Sequence, residues 1–164
     1  MLWINIDGYE GKYQVTNCGQ VRSLSRTVYR ESGKSKRRII RTRILKQFTN
    51  DQGYCIVGLH GNGKFKSAKV HRLIAASFLG NPNNFNCVNH KNGIKTDNRV
   101  ENLEWCTPKE NIIHAFRTGL MNNTAPLFVQ VIKEAVKKGF KQSDIAKYFR
   151  IHYSTVYRIN LRTQ

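Results

Sequence analysis

The sequence predicts an α+β chain of modular build, and three observations lead there. Short segments punctuated by Gly and Asn turns fill the amino-terminal part, as in a string of strands and hairpins. Near residue 70 the apolar spacing switches to a helical period, and helical spacing returns after residue 125. Charge is also divided unevenly. Residues 1–80 carry 15 basic and 4 acidic side chains, residues 81–119 carry 5 and 4, and residues 120–164 carry 8 and 2. We therefore expect three modules: a β-rich basic region with a following helix over 1–80, a strand–loop–strand–helix unit over 81–119, and a linker with three helices over 120–164.

Composition narrows the function classes. The 164 residues include 28 Lys+Arg against 10 Asp+Glu, a net charge of +18, which points to a polyanionic partner and first of all to nucleic acid. Apolar residues make up 40%, enough for modest cores and too many for a disordered chain. No apolar run approaches the roughly 20 residues of a membrane span, so no membrane partner is expected. The opening MLWINIDGYEGKY has neither the basic nor the apolar part of a signal peptide. Cys18, Cys55, Cys87 and Cys106 form no C-x-x-C pair and read as reduced thiols. A zinc set could be assembled from Cys87, His90, Cys106 and His114, but seven residues separate the last two, against the usual spacing of about three to five. No zinc is expected.

Along the chain, Asn17-Cys18-Gly19 marks a hairpin turn between YQV and QVRSL. Residues 22–46 then hold ten basic side chains and one acid, which reads as a flexible arm that tracks phosphates. Arg22, Arg26, Lys36, Arg37, Arg38, Arg41 and Arg43 are its expected DNA contacts. Residues 53–59 and 65–70 pair as a hairpin through Gly61-Asn62-Gly63. In VHRLIAASFL the residues Val70, Leu73, Ile74 and Phe78 form a helical stripe that Gly80-Asn81-Pro82 stops. His71, near its start, suits packing or a phosphate contact better than catalysis.

The chemistry is expected between residues 87 and 119. Cys87 to Gly93 reads as a strand ending in a turn with His90 at its tip, and Leu103 to Cys106 as a second strand. Thr107-Pro108-Lys109-Glu110 combines a capping residue, a proline at the first helical position and the acid of a capping box. The helix should run to Gly119 and put Asn111 in its first turn, able to face His90. Phosphodiester hydrolysis needs a group that takes a proton from water near neutral pH, which a histidine does. It also needs charge stabilisation at the phosphate, which a hard cation on oxygen ligands provides.

The text VNHKNGIKTDNRVENLEWCTPKENIIHAF resembles the ββα-metal motif of HNH nucleases. With the upstream GYEGKYQVTNCGQVRSL and VHRLIAASF, the chain is similar to HNH homing endonucleases of bacteriophages over nearly 120 residues. The resemblance implies that His90 is the general base, that Asn102 holds the loop through backbone hydrogen bonds, and that Asn111 ligates Mg2+ or Mn2+. The position before the base is often acidic in such proteins and is Asn89 here, a second candidate ligand. Asp97, Glu101 and Glu104 could supply the missing negative charge, although a cap or surface role suits each better. Lys91, beside the base, is assigned to DNA.

From Pro126 a helix should turn Phe128, Val131, Ile132, Ala135 and Val136 inward after a hinge at 117–125. Residues 142–149 and 153–159 follow with a spacing that resembles a helix-turn-helix, with Arg150 where glycine often stands. Tyr153, Ser154, Thr155, Tyr157 and Arg158 would then face the major groove. The expectation is a monomeric, site-preferring endonuclease of double-stranded DNA that nicks one strand per event, working in the cytoplasm of a bacterial host if phage-encoded. The alternative is a DNA-binding regulator that retains the nuclease scaffold without cutting.

Overall fold

Side chains hold several tight turns of the amino-terminal half, as Thr16 and Asn50 do. A computed structural model describes residues 1–29, 37–61, 63–120 and 126–161. β1 (Trp3–Asn5), β2 (Tyr13–Thr16) and β3 (Val21–Ser23) form an antiparallel sheet, with Trp3 opposite Thr16 and Val15 opposite Val21. The β2–β3 turn is fixed by Thr16 Oγ1, which accepts from the backbone of Cys18 at 3.2 Å and Gln20 at 3.1 Å. Gly19 takes φ +92° there.

The basic stretch expected as a flexible arm contains strands. β4 (Arg26–Tyr29) pairs antiparallel with β5 (Arg37–Ile40), and β6 (Arg43–Ile44) returns to the edge of β3. Thr27, Val28, Ile39 and Ile40 are β-branched, and their preference for a pleated backbone outweighs what the charge pattern suggests. Lys36, Asn62 of the expected hairpin turn, and residues 121–125 of the expected hinge lie outside the described residues.

β7 (Phe48–Thr49), β8 (Cys55–Gly61) and β9 (Lys64–Lys69) make a second antiparallel sheet. The chain passes directly into α1 (Val70–Phe78), which buries Val70, His71, Ile74 and Ala75. The helical stripe of the sequence is thus the buried face, joined by a histidine. β10 (Cys87–His90) and β11 (Leu103–Cys106) form a two-stranded sheet, with a 3-10 turn at Val100–Asn102 before β11. The Trp105 indole donates to the carbonyl of Leu79 at 3.2 Å and ties β11 to the end of α1. Leu59, Ile74, Val88 and Leu103 belong to one apolar core.

α2 (Pro108–Arg117) starts on the complete capping box that Thr107 and Glu110 predict. Its end at Gly119, φ +73°, carries the paired bonds from Gly119 to Phe116 and from Leu120 to Ala115. α3 (Pro126–Lys137), α4 (Gln142–Phe149) and α5 (Tyr153–Leu161) follow. Their shared core includes Phe116 of α2, stacked on Phe128 with ring centroids 3.7 Å apart. Arg150 closes α4 in the left-handed region at φ 53°. Residues 1–105 form one compact unit and residues 106–164 a second. Among the described residues no helix is long and apolar enough to cross a membrane.

Candidate active site

His90 closes β10, and its side chain is 5% exposed. The chain turns at once, through a bond from the Gly93 N–H to the His90 carbonyl at 2.8 Å, with Gly93 at φ +74°. A set of asparagines holds the loop that follows. Asn102 accepts from the Asn92 N–H at 3.0 Å through Oδ1 and donates to the Asp97 carbonyl at 2.8 Å through Nδ2. Its own carbonyl accepts from the Lys91 N–H at 2.8 Å. Asn102 therefore ties both halves of the loop to the foot of β11. Asn92 donates to Asp97 Oδ2 at 2.8 Å, and Asp97 also accepts from Arg99 at 2.8 and 2.9 Å. The Arg99 guanidinium holds the Asp97 carboxyl well below the usual carboxylate range.

The loop delivers Asn98, 4% exposed, to the imidazole. Asn98 Nδ2 donates to the Thr96 carbonyl at 3.3 Å, which turns its oxygen toward His90 Nε2 at 3.2 Å. An oxygen there can only accept, so Nε2 carries the proton and Nδ1 keeps the basic lone pair. The β2–β3 turn braces this loop from behind. The Val100 N–H bonds the Asn17 carbonyl at 2.9 Å, and a Cβ on Gly19 would come within 3.3 Å of Asn98 Cβ. Lys95 donates to the Gln52 carbonyl at 2.9 Å and sits over the Tyr54 ring.

Two further rings reach the site from other elements. His71 of α1 stands edge-on to His90 with centroids 5.1 Å apart, and Tyr54 lies 4.8 Å from His71 and 6.0 Å from His90. Burial, then the neighbouring His90, pushes His71 down to about 3. Its buried Nδ1 has no hydrogen-bond partner among the described residues. Burial also lowers His90 below the ordinary 6.5, while the Asn98 bond and the Asp97 charge oppose the shift. For both rings burial favours the uncharged imidazole. Asn98, His71 and Tyr54 were not expected at the site. Asn98 carries no signal that separates it from the turn asparagines around it, and the two ring contacts join distant segments.

The other expected residues fall into groups. Asn89, buried beside His90, donates from Nδ2 to Glu104 Oε1 at 2.8 Å. Asn111 lies in the first turn of α2, with its N–H on the Thr107 carbonyl. Hard oxygen donors of this kind, carboxamides with a carboxylate, suit Mg2+ or Mn2+. The described residues hold no group of three or more His, Cys, Asp or Glu able to bind a metal. Lys91 is exposed and its ammonium donates to the Glu101 carbonyl at 3.0 Å. Arg26, Arg38, Arg41 and Arg43 line one cleft of about 520 Å³ with Tyr13 and His60. Arg37 is exposed on β5. Arg22 is oriented by Gln14 at 2.6 and 2.9 Å and lies over the Trp3 ring. On α5, Tyr153 and Tyr157 are exposed with ring centroids 6.4 Å apart, Arg158 is exposed, and Ser154 and Thr155 are half-buried.

A strand-tip imidazole, an asparagine-laced loop and a returning strand define a nuclease of the HNH type, and the comparisons with known proteins agree. Residues 1–60 match the NUMOD4 motif and residues 68–112 the HNH endonuclease family. The chain belongs to the HNH homing endonuclease family, and that membership makes it a nuclease. Along nearly its whole length it follows DNA endonuclease I-HmuI of Bacillus phage SP01, with 31% identity over 98% of this chain and 99% of that one. It is 43% identical to the HNH endonuclease L245 of Acanthamoeba polyphaga mimivirus over 45% of this chain, though it spans only 22% of that relative. A solved structure describing DNA binding and cleavage by I-HmuI matches at a TM-score of 0.59 with 35% identity, over 84% of this chain and 68% of that one. HNH nucleases generally use a divalent metal.

Proposed function

We propose that this protein is a site-preferring DNA endonuclease that nicks one strand of duplex DNA per event, with His90 as general base. The observation that carries the reading is the Asn98 oxygen on His90 Nε2, which leaves Nδ1 as the lone pair that takes the proton of an attacking water. Asn102 supports the base indirectly by holding the loop that carries Asn98. Asn89 and Asn111 are assigned as carboxamide ligands, the latter on its residue type and its place in the first turn of α2. Held by these residues, a divalent ion such as Mg2+ or Mn2+ would supply the charge stabilisation that phosphodiester hydrolysis needs.

Positive charge holds the substrate. Arg26, Arg38, Arg41 and Arg43 around one cleft, with Arg22, Lys36, Arg37 and Lys91, contact phosphates of the duplex. α4 and α5 act as a helix-turn-helix, with Tyr153, Ser154, Thr155, Tyr157 and Arg158 toward the major groove. The enzyme works as a monomer in the cytoplasm, that of a bacterial host if phage-encoded, and the modules 1–80, 81–119 and 120–164 divide gripping, cutting and reading.

The test uses supercoiled plasmid and Mg2+. His90→Ala should bind the plasmid as the wild type does and lose nicking by at least about 100-fold, the lower end of general-base effects. Equal nicking by both proteins overturns the assignment. Binding without nicking by either protein favours the regulator that keeps only the scaffold.

A further inference from the structure

Position 89 gives the site a neutral carboxamide, so the negative charge a hard cation prefers must come from elsewhere. Three carboxylates lie near the loop, and their partners separate them. Asp97 and Glu101 both pair with Arg99, at 2.8 and 3.4 Å, and their charge is compensated there. Among the described residues no ion pair involves Glu104, which is exposed on β11 and bonds the Asn89 amide at 2.8 Å.

That one bond decides which way the Asn89 amide points. A carboxylate only accepts, so the amide nitrogen must face Glu104 and the oxygen must face away from it. Asn89 Oδ1 has no hydrogen-bond partner among the described residues, and it is not among the fully buried atoms left unpaired there. It is an open acceptor held in a fixed direction. A carboxylate behind a ligand also draws on its N–H and makes the carbonyl oxygen more basic, as partners of metal ligands do in general.

We propose that Glu104 is a positioning residue for the divalent ion: it turns the Asn89 oxygen away from its own carboxylate and gives the site the negative charge that position 89 lacks. This rests on the assignment of Asn89 as a ligand. The surplus charge on Glu104 and the amide orientation come from one side chain, so a single substitution removes both.

Binding of Mn2+ alone to the protein, followed by the paramagnetic resonance of the free ion, tests it without relying on activity. Glu104→Gln should weaken Mn2+ binding by about 10-fold or more, because the partners of metal ligands typically contribute 10- to 100-fold. Its metal-free plasmid affinity and melting temperature should match the wild type. The double variant Asn89→Asp with Glu104→Gln should regain the affinity, since it moves the carboxylate into the ligand position. In nicking assays Glu104→Gln should need more Mg2+ for half its maximal rate and approach the wild-type rate at saturation. Mn2+ binding by Glu104→Gln equal to wild type overturns the role of Glu104 and leaves His90 untouched. A wild type that binds no Mn2+ overturns this role and the ligand assignment of Asn89 with it.

Discussion

The two compact units bury different kinds of residue. Among the described residues, every buried polar residue, from Thr16 and Ser23 to His71, Asn89, His90, Asn98 and Asn102, belongs to residues 1–105. The buried residues of the second unit that pack around Phe128 are all apolar. A buried polar group costs stability unless it is hydrogen-bonded, and in the first unit a network of asparagine hydrogen bonds meets that requirement, with His71 Nδ1 the exception among the described residues. In the second unit the polar exception is Gln142 Oε1, buried without a partner among the described residues, and α5 exposes Tyr153, Tyr157 and Arg158. On the proposed reading the general base lies where the interior is polar, while the apolar core carries the exposed residues of α5.

Acid should separate the units most strongly. His71 stays unprotonated in the fold down to about 3, while in the unfolded chain it takes up a proton near 6.5. The unfolded state therefore binds more protons across that window, and stability present above pH 6.5 is lost as pH falls toward 3, by up to about 5 kcal/mol. Both tryptophans, Trp3 and Trp105, lie in the first unit, so their fluorescence reports that unit alone. Denaturant melts followed by tryptophan emission should weaken steeply between pH 6 and 4, and His71→Phe should flatten that slope. Helical circular dichroism, which reports mainly the second unit, should change far less.

The converse experiment empties the apolar core. Phe128→Ala removes a fully buried ring stacked on Phe116 and should cost the second unit about 3–5 kcal/mol, read from the helical melt. Plasmid affinity should fall with it, and nicking should fall too, because α2 carries the proposed ligand Asn111 and its Phe116 packs on the lost ring. The smallest effect is at Arg150, where a non-glycine residue sits at φ 53°. Arg150→Gly relieves that strain and should stabilise the second unit by about 1 kcal/mol.

Much of this division was legible in the sequence because local chemistry encodes it. The capping box at Thr107 and Glu110, the helical stripe from Val70 to Phe78 and the glycine stop at Gly119 each act within a few residues. The strands β4 and β5 were obscured because charge dominated the view of residues 22–46, although their β-branched residues favour pairing. Phe116 joins a core built from later helices, so a division placed after residue 119 separates it from its partners. Asn98 and His71 meet His90 only through the tertiary fold, where spacing along the chain says nothing.

The central claim is that this buried polar network delivers His90 as a neutral imidazole with its proton on Nε2. A long-range proton–nitrogen correlation spectrum of the protein at neutral pH, with His90 assigned by its loss in His90→Ala, measures that directly. The account predicts a protonated Nε2 and a bare Nδ1 for His90. A proton on Nδ1, or an imidazolium at that pH, would contradict it.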